Sequence, residues 1–167
     1  MSYLDDVISK TCELDDISKM DDVPYDLQMK VVKQNPMNIK YIKHPCEDAQ
    51  FEAFNQDVVS CRYIINPTEN FQEHVIRCGM VRLAKRNMFS FSRKSLELAF
   101  ELDPHCILFF QKGTFMSDDL QLYAIKNGWE LRLYNAIMEQ FTRKDEEAFH
   151  NEIKKLKIEF GPMKKYT

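Results

Sequence analysis

Histidine and cysteine lie close together three times in the sequence, and these pairs are the first candidates for chemistry. They are His44 with Cys46, His74 with Cys78, and His105 with Cys106. Zinc would need four such ligands converging in tetrahedral geometry, and the sequence has no CxxC knuckle. A cysteine nucleophile needs a histidine in contact with it in the fold, and closeness along the chain does not provide that contact. We therefore predict no metal, no cofactor and no enzymatic activity, with a small Cys/His enzyme as the second alternative.

Acidic residues are concentrated near the N-terminus, where Asp5, Asp6, Asp15 and Asp16 form two adjacent pairs. Neighbouring residues on a helix do not face each other, so paired acid–base or divalent-cation chemistry is not indicated. An acidic face could instead copy nucleic-acid phosphate and occupy a basic groove on a partner, and a plain solvated face is the other interpretation. These four aspartates are candidate binding residues.

Trp129 is the single tryptophan and directly follows Gly128 at a predicted turn. An exposed tryptophan is a typical contact in a protein interface, and a packing role is its other interpretation. Trp129 is the fifth candidate binding residue. Lysines and arginines are spread along the chain, and together with Tyr41 and Tyr63 they could bind single strands. A nucleic-acid or nucleoprotein binder, or a phosphate-mimicking acidic inhibitor, is therefore the first alternative function.

Composition and charge exclude several classes of protein. The 167 residues carry 23 Lys and Arg against 26 Asp and Glu, so a general electrostatic grip on nucleic acid or anionic membrane is not indicated. Only 4 Gly and 6 Pro argue against glycine-rich phosphate loops and turn-rich β-sandwiches. No window approaches the ~18 apolar residues of a membrane span, and the N-terminus lacks an apolar signal core. Five cysteines without paired spacing fit reduced thiols, so we predict a cytoplasmic protein with no membrane partner.

Internal repetition is the main signal of architecture. Gln28, Gln50 and Gln72 are 22 residues apart, and Leu96 and Gln121 continue the frame at intervals of 24 and 25. Apolar residues follow each anchor at helical spacing. Seven residues after the anchors stand Asn35, Asp57, Gly79, Asp103 and Gly128. These residue types tolerate a left-handed backbone or cap a helix, so each unit is predicted to be a helix, a stop and a second helix.

Two segments rich in β-branched and aromatic residues, 61–65 and 107–110, could also be strands. The repeat frame favours helices there. We predict an all-α fold of about five short helical hairpins stacked in a compact solenoid-like array with capping helices at both ends. The chain is predicted to be one domain. It would consist of an acidic N-terminal cap (1–22), helical repeats (23–134), a C-terminal capping helix (135–161) and a frayed tail (162–167).

The C-terminal capping helix has its own start signal. Thr142 with Asp145 is a capping pair, and apolar residues follow it at helical spacing: Phe149, Ile153, Leu156 and Ile158. Gly161 and Pro162 are expected to end this helix.

The stretch from Gln28 to Lys43, which reads QMKVVKQNPMNIKYIK, resembles an uncharacterised family of short α-helical hairpin repeats. The family is common in phage, giant-virus and bacterial proteins. Residues 124–131 are similar to the same core, whereas the third and fourth units lack its Lys-Gln-Asn-Gly motif. The resemblance covers about residues 23–134. It implies a helical array and a viral or mobile-element context, and it brings no catalytic residues.

Helical arrays offer an extended surface and rarely a deep catalytic pocket. We therefore predict a non-enzymatic protein-binding module. The resemblance adds that it would be a phage- or virus-encoded inhibitor or adaptor that docks on a host protein, such as a defence nuclease, in the host cytoplasm. Neither the identity of the partner nor self-association follows from the sequence.

Overall fold

A computed structural model of the chain describes residues 14–84, 91–110 and 116–165. In these ranges the chain is mostly helical and contains no strand, so the predicted all-α fold is confirmed for the described residues. The contacts divide the chain into two compact units, Met1–Phe91 and Ser92–Thr167. The prediction of a single domain stays a prediction.

The first unit alternates long and short helices in the part that the structure describes. Its α-helices are α1 (Leu14–Lys19), α2 (Tyr25–Gln34), α3 (Glu47–Gln56), α4 (Glu69–Arg77) and α5 (Val81–Ala84). Two 3-10 helices, η1 (Pro36–Tyr41) and η2 (Val58–Tyr63), follow α2 and α3 after a single residue. Each of these α-helices thus forms a tight pair with the short helix that follows it.

The second unit has the same alternation, followed by two long helices. It contains α6 (Arg93–Leu102), the 3-10 helix η3 (Pro104–Phe109), α7 (Asp118–Gly128), α8 (Leu131–Gln140) and α9 (Glu146–Phe160). Strands were the alternative to helices for the segments 61–65 and 107–110. Residues 61–63 belong to η2 and residues 107–109 to η3. The prediction of helices is therefore confirmed for most of their residues.

Asparagine or aspartate stands between the two helices of three pairs and starts the second helix. Asn35, Asp57 and Asp103 have extended backbones with φ of -157°, -151° and -146°. In each, the side-chain Oδ1 accepts a hydrogen bond from the backbone N–H two residues further along the chain, at 2.9, 2.8 and 3.0 Å. The side chain satisfies a donor that the helix start leaves unpaired, which confirms the capping role predicted for these positions.

The repeat anchors lie on the buried faces of their helices. The third, fourth, seventh and eighth residues of four helices are buried: Leu27, Gln28, Val31 and Val32 in α2; Ala49, Gln50, Ala53 and Phe54 in α3; Phe71, Gln72, Val75 and Ile76 in α4; Leu120, Gln121, Ala124 and Ile125 in α7. This spacing is that of a helix with one face in the core. A glutamine on such a face needs hydrogen-bond partners there.

Gln28 finds these partners at the starts of two successive helices. Its Nε2 donates to the carbonyl oxygen of Val23, just before α2, at 2.8 Å. Its Oε1 accepts the N–H of Cys46, the N-cap residue of α3, at 2.7 Å. The buried amide thereby links one helix pair to the next through backbone groups that no helix can satisfy.

The range predicted as one C-terminal capping helix, 135–161, holds the end of α8 and all of α9, with no helix over 141–145. The start and the apolar face of α9 also differ from the prediction. The Oδ1 of Asp145 accepts the N–H of Ala148 at 2.9 Å, so Asp145 rather than Thr142 caps α9. Phe149 and Ile153 are buried as expected, whereas Ile158 is 87% exposed. The predicted apolar face was therefore wrong at Ile158. This residue lies nine positions after the buried Phe149, which at about 100° per residue places it on the opposite, solvent-facing side of α9.

Candidate functional site

The turn between α7 and α8 contains Trp129 and Glu130 and adjoins a groove in the second unit. Helix α7 ends at Gly128, and Trp129 follows in the left-handed conformation with φ 39° and ψ 48°. A Cβ on Gly128 would lie 3.2 Å from the Cβ of Pro104 and still closer to the Cδ2 of Leu133. Glycine stands here because the helices approach too closely for a side chain.

Trp129 is only 8% exposed and packs into the second unit. Its Nε1 donates to the carbonyl oxygen of Gly161 at 3.2 Å, and its ring lies 5.6 Å from the ring of Phe160. The indole N–H thus has a hydrogen-bond acceptor, and the apolar part of the ring packs against another aromatic ring. The structure thus gives Trp129 the packing role, and its predicted role in binding stays a prediction.

Glu130 is a buried carboxylate beside this turn, and it is 5% exposed. Its Oε1 contacts the Nε2 of the half-exposed His105, whose Nδ1 lies 3.6 Å from an oxygen of Asp103. A carboxylate removed from water needs such a partner. Neither the burial of Glu130 nor its pairing with His105 was predicted, because the two residues are 25 positions apart.

Catalysis by the thiol beside His105 is not favoured. Burial raises the pKa of the Cys106 thiol to about 12, with a further contribution from Asp103. A thiol with this pKa stays protonated at neutral pH, and the thiolate is the nucleophile. Cys106 therefore adds no nucleophile to the pair formed by His105 and Glu130.

The C-terminal segment docks against the same turn. The N–H of Leu131 donates to the carbonyl oxygen of Lys164 at 3.1 Å, and the N–H of Lys164 donates to the carbonyl oxygen of Trp129 at 3.2 Å. Residues 129–131 and 164 thus pair like a short stretch of parallel sheet. Within the predicted tail, Lys164 is therefore held by backbone hydrogen bonds to the turn.

A groove opens between α8, α9 and this docked segment. It consists of two adjoining depressions of about 420 and 550 Å³ that share Leu131 and Lys165. The first is also lined by Tyr134, Lys157, Pro162 and Met163, and the second by Arg132, Asn135, Ala136 and Glu139. Leu131 is 38% exposed. Large apolar side chains that remain accessible in a concave site are typical of binding sites.

Half of the predicted acidic site lies outside the described residues. Asp5 and Asp6 fall there, and for Asp15 the structure describes only the backbone, in α1. Asp16 is exposed on α1, with one of its oxygens 3.4 Å from the Nζ of Lys19, which is also exposed. Such a surface pair is worth well under about 1 kcal/mol. Asp16 belongs to the first unit and Trp129 to the second.

Of the remaining histidine–cysteine pairs, His74 and Cys78 are in contact at the end of α4. The Sγ of Cys78 lies 3.7 Å from the Nε2 of His74, whose ring packs edge-on against Phe51 and Phe54 at 5.2 and 5.4 Å. Burial raises the pKa of the Cys61 thiol to about 11. Among the described residues, no three or more His, Cys, Asp or Glu side chains are grouped so that they could hold a metal ion.

Within the described ranges, no helix combines the length and the apolar character needed to cross a membrane. The chain matches no family model, and the comparisons with curated proteins and solved structures found no match.

Proposed function

We propose that the chain is a non-enzymatic protein-binding module and that the groove beside α8 receives part of the partner. The observation that carries the proposal is the accessible apolar surface of Leu131, Tyr134 and Met163 in a concave site. Exposed apolar surface costs solubility, and it is retained where a partner covers it. The groove volume suits one or two large side chains of such a partner.

The array of about five stacked helical hairpins is part of the same proposal. Its support is the recurrence of the helix pairs and the glutamine contacts that join one pair to the next. Helices α1 and α9 would cap the two ends. In such an array each unit contacts its neighbours, and the outer faces remain available as a scaffold for binding.

A small Cys/His enzyme is the second alternative. The thiols of Cys61 and Cys106 do not favour it, because burial raises their pKa values to about 11 and about 12. Its best candidate is the exposed Cys78, which contacts His74. A viral origin and a host defence protein as the target remain proposals that rest on the resemblance of the repeat units alone. A nucleic-acid partner also remains open, and the experiment below distinguishes it.

The test is site-directed photo-cross-linking in lysate of the natural or host cell. A photo-reactive phenylalanine analogue replaces Leu131 in the groove, and the same analogue replaces the exposed Ile158 as the matched control. We expect one protein to be cross-linked in stoichiometric amounts from position 131 and not from position 158. Mass spectrometry of the adduct identifies the partner and the peptide in contact.

Two results would overturn the proposal. Equal cross-linking from both positions would show that the groove is not the binding surface. Adducts that disappear after nuclease treatment would favour the nucleic-acid alternative instead.

A further inference from the structure

We propose that the groove binds an acidic amphipathic segment, in which a large apolar side chain is flanked by carboxylates. This inference rests on the proposed protein-binding function and specifies the chemistry of the partner. Two features carry it: the apolar floor of the groove, and the sign of the charges along its rim.

The floor provides the anchor site. Leu131 and Tyr134 lie one helical turn apart on α8, and Met163 faces them from the docked C-terminal segment. Methionine adapts its shape to different side chains, so the floor can accept either an aromatic or a branched aliphatic residue. Burial of apolar area is the main source of affinity in a site of this kind.

The rim is basic at one end of the groove. Arg132, Lys157 and Lys165 line it, and all three side chains are exposed. None of the three forms an ion pair with another described residue. Three cations without an ion-pair partner among the described residues, set around an apolar floor, are complementary to a segment that carries carboxylates beside its apolar residue.

The distribution of charge also gives the bound segment a direction. Glu139, the acidic residue of the lining, lies near the C-terminal end of α8, eight residues from Leu131. At a rise of about 1.5 Å per residue this separation is about 12 Å. The carboxylates of the partner therefore lie over the first turn of α8, and a neutral or basic residue lies over Glu139.

This local charge is opposite to the net charge of the chain, which is -3. An acidic segment is thus attracted to the groove and repelled by the rest of the surface. Exposed charge pairs add little affinity singly, but they select the partner and speed its association. We therefore expect the charges of the rim to affect mainly which sequences bind, and to affect their affinity less.

The test uses a random library of twelve-residue peptides displayed on their own mRNA. The full chain is the bait, in three charge forms. They are the wild type, the groove reversal Lys157→Glu with Lys165→Glu, and a matched control, Lys144→Glu with Lys154→Glu. The control carries the same change in charge on exposed lysines outside the groove lining. Circular dichroism verifies that each variant is folded.

We expect the wild type and the control to enrich peptides that combine Phe, Leu or Trp with two or more Asp or Glu. The groove reversal should enrich basic peptides with the same apolar anchor. By fluorescence anisotropy, the best acidic peptide should bind the groove reversal about tenfold more weakly and the control within about twofold of wild type. Leu131→Asp and Leu131→Ser should each abolish binding, because both remove the apolar anchor site.

The outcomes separate this inference from the proposed function. Peptides that lack acidic residues, but lose binding in both Leu131 variants, would overturn the acidic segment and keep the groove as a protein-binding site. Peptides whose binding does not depend on Leu131 would overturn both. A selection that enriches no peptide would also overturn the inference.

Discussion

The side chain of Gln50 joins the start of its own helix to Thr68, the N-cap residue of the next. Its Nε2 donates to the carbonyl oxygen of Pro45 at 2.8 Å, and its Oε1 accepts the N–H of Thr68 at 3.0 Å. The same arrangement at Gln28 shows that the spacing of 22 residues has a physical cause. In both, the buried side-chain amide donates to a backbone carbonyl just before its own helix and accepts the backbone N–H of the N-cap residue of the following helix.

Replacing this amide should destabilise the fold. Gln50→Leu removes the acceptor of the N–H of Thr68 and leaves buried polar groups unpaired, at a cost of about 1–3 kcal/mol. Urea unfolding measures this loss as a lower midpoint with an unchanged slope. Gln34→Leu, on the exposed end of α2, is the control and should change stability by less than about 0.5 kcal/mol. Equal effects of the two variants would contradict the role of Gln50.

The pair formed by His105 and Glu130 should be strongly coupled. His105→Ala leaves a buried carboxylate without its partner, and we expect a loss of about 1–3 kcal/mol because His105 itself is half-exposed. Glu130→Gln removes the charge, so adding it to His105→Ala should restore part of the stability. A double-mutant cycle by thermal or urea unfolding measures the coupling. Strictly additive losses would show that the two side chains do not interact.

Gly128 should not tolerate even one methyl group. The Cβ of Gly128→Ala would overlap the Cδ2 of Leu133 and press on Pro104, at a cost of about 1–3 kcal/mol from overpacking. Alanine has the better helix propensity by about 1 kcal/mol, so any net destabilisation is due to the clash. The free energies of unfolding of the variant and the wild type, measured under the same conditions, check this prediction. Increased stability would mean that α8 can move away from α7 without loss.

Among the described cysteines, the exposed Cys78 should react first with iodoacetamide. Cys61 and Cys106 are buried, and their pKa values are raised to about 11 and about 12. Mass spectrometry of tryptic peptides should show Cys78 alkylated at pH 7.5, with these two thiols unmodified until urea unfolds the chain. Early labelling of Cys106 in the folded protein would contradict its burial.

The same two thiols should make stability depend on alkaline pH. Their folded pKa values exceed that of an unfolded cysteine, about 8.5, so the folded state holds these protons more tightly. The stability contributed in this way is complete below about pH 8.5 and is lost as the pH rises through 11 and 12. Cys61→Ala with Cys106→Ala should show a smaller decline in stability from pH 8.5 to 10.5, measured by urea unfolding.

The sequence predicts the parts of the fold that depend on near neighbours. Asn35, Asp57 and Asp103 cap a helix that begins at the next residue, and such local chemistry is visible in residue types and spacing. The groove depends on contacts between residues 129–131 and Lys164, which are more than 30 positions apart. No local pattern predicts that the C-terminal segment returns to this turn, so the sequence alone does not predict the groove.

The glutamine links also bear on how the chain folds. Gln28 bonds the backbone of Cys46, and Gln50 that of Thr68, each 18 residues further along. Contacts so short in sequence close small loops, and chains dominated by them cross their folding barrier fast. Each link requires only the start of the next helix, so the first pairs can form on the ribosome while later residues are still being synthesised.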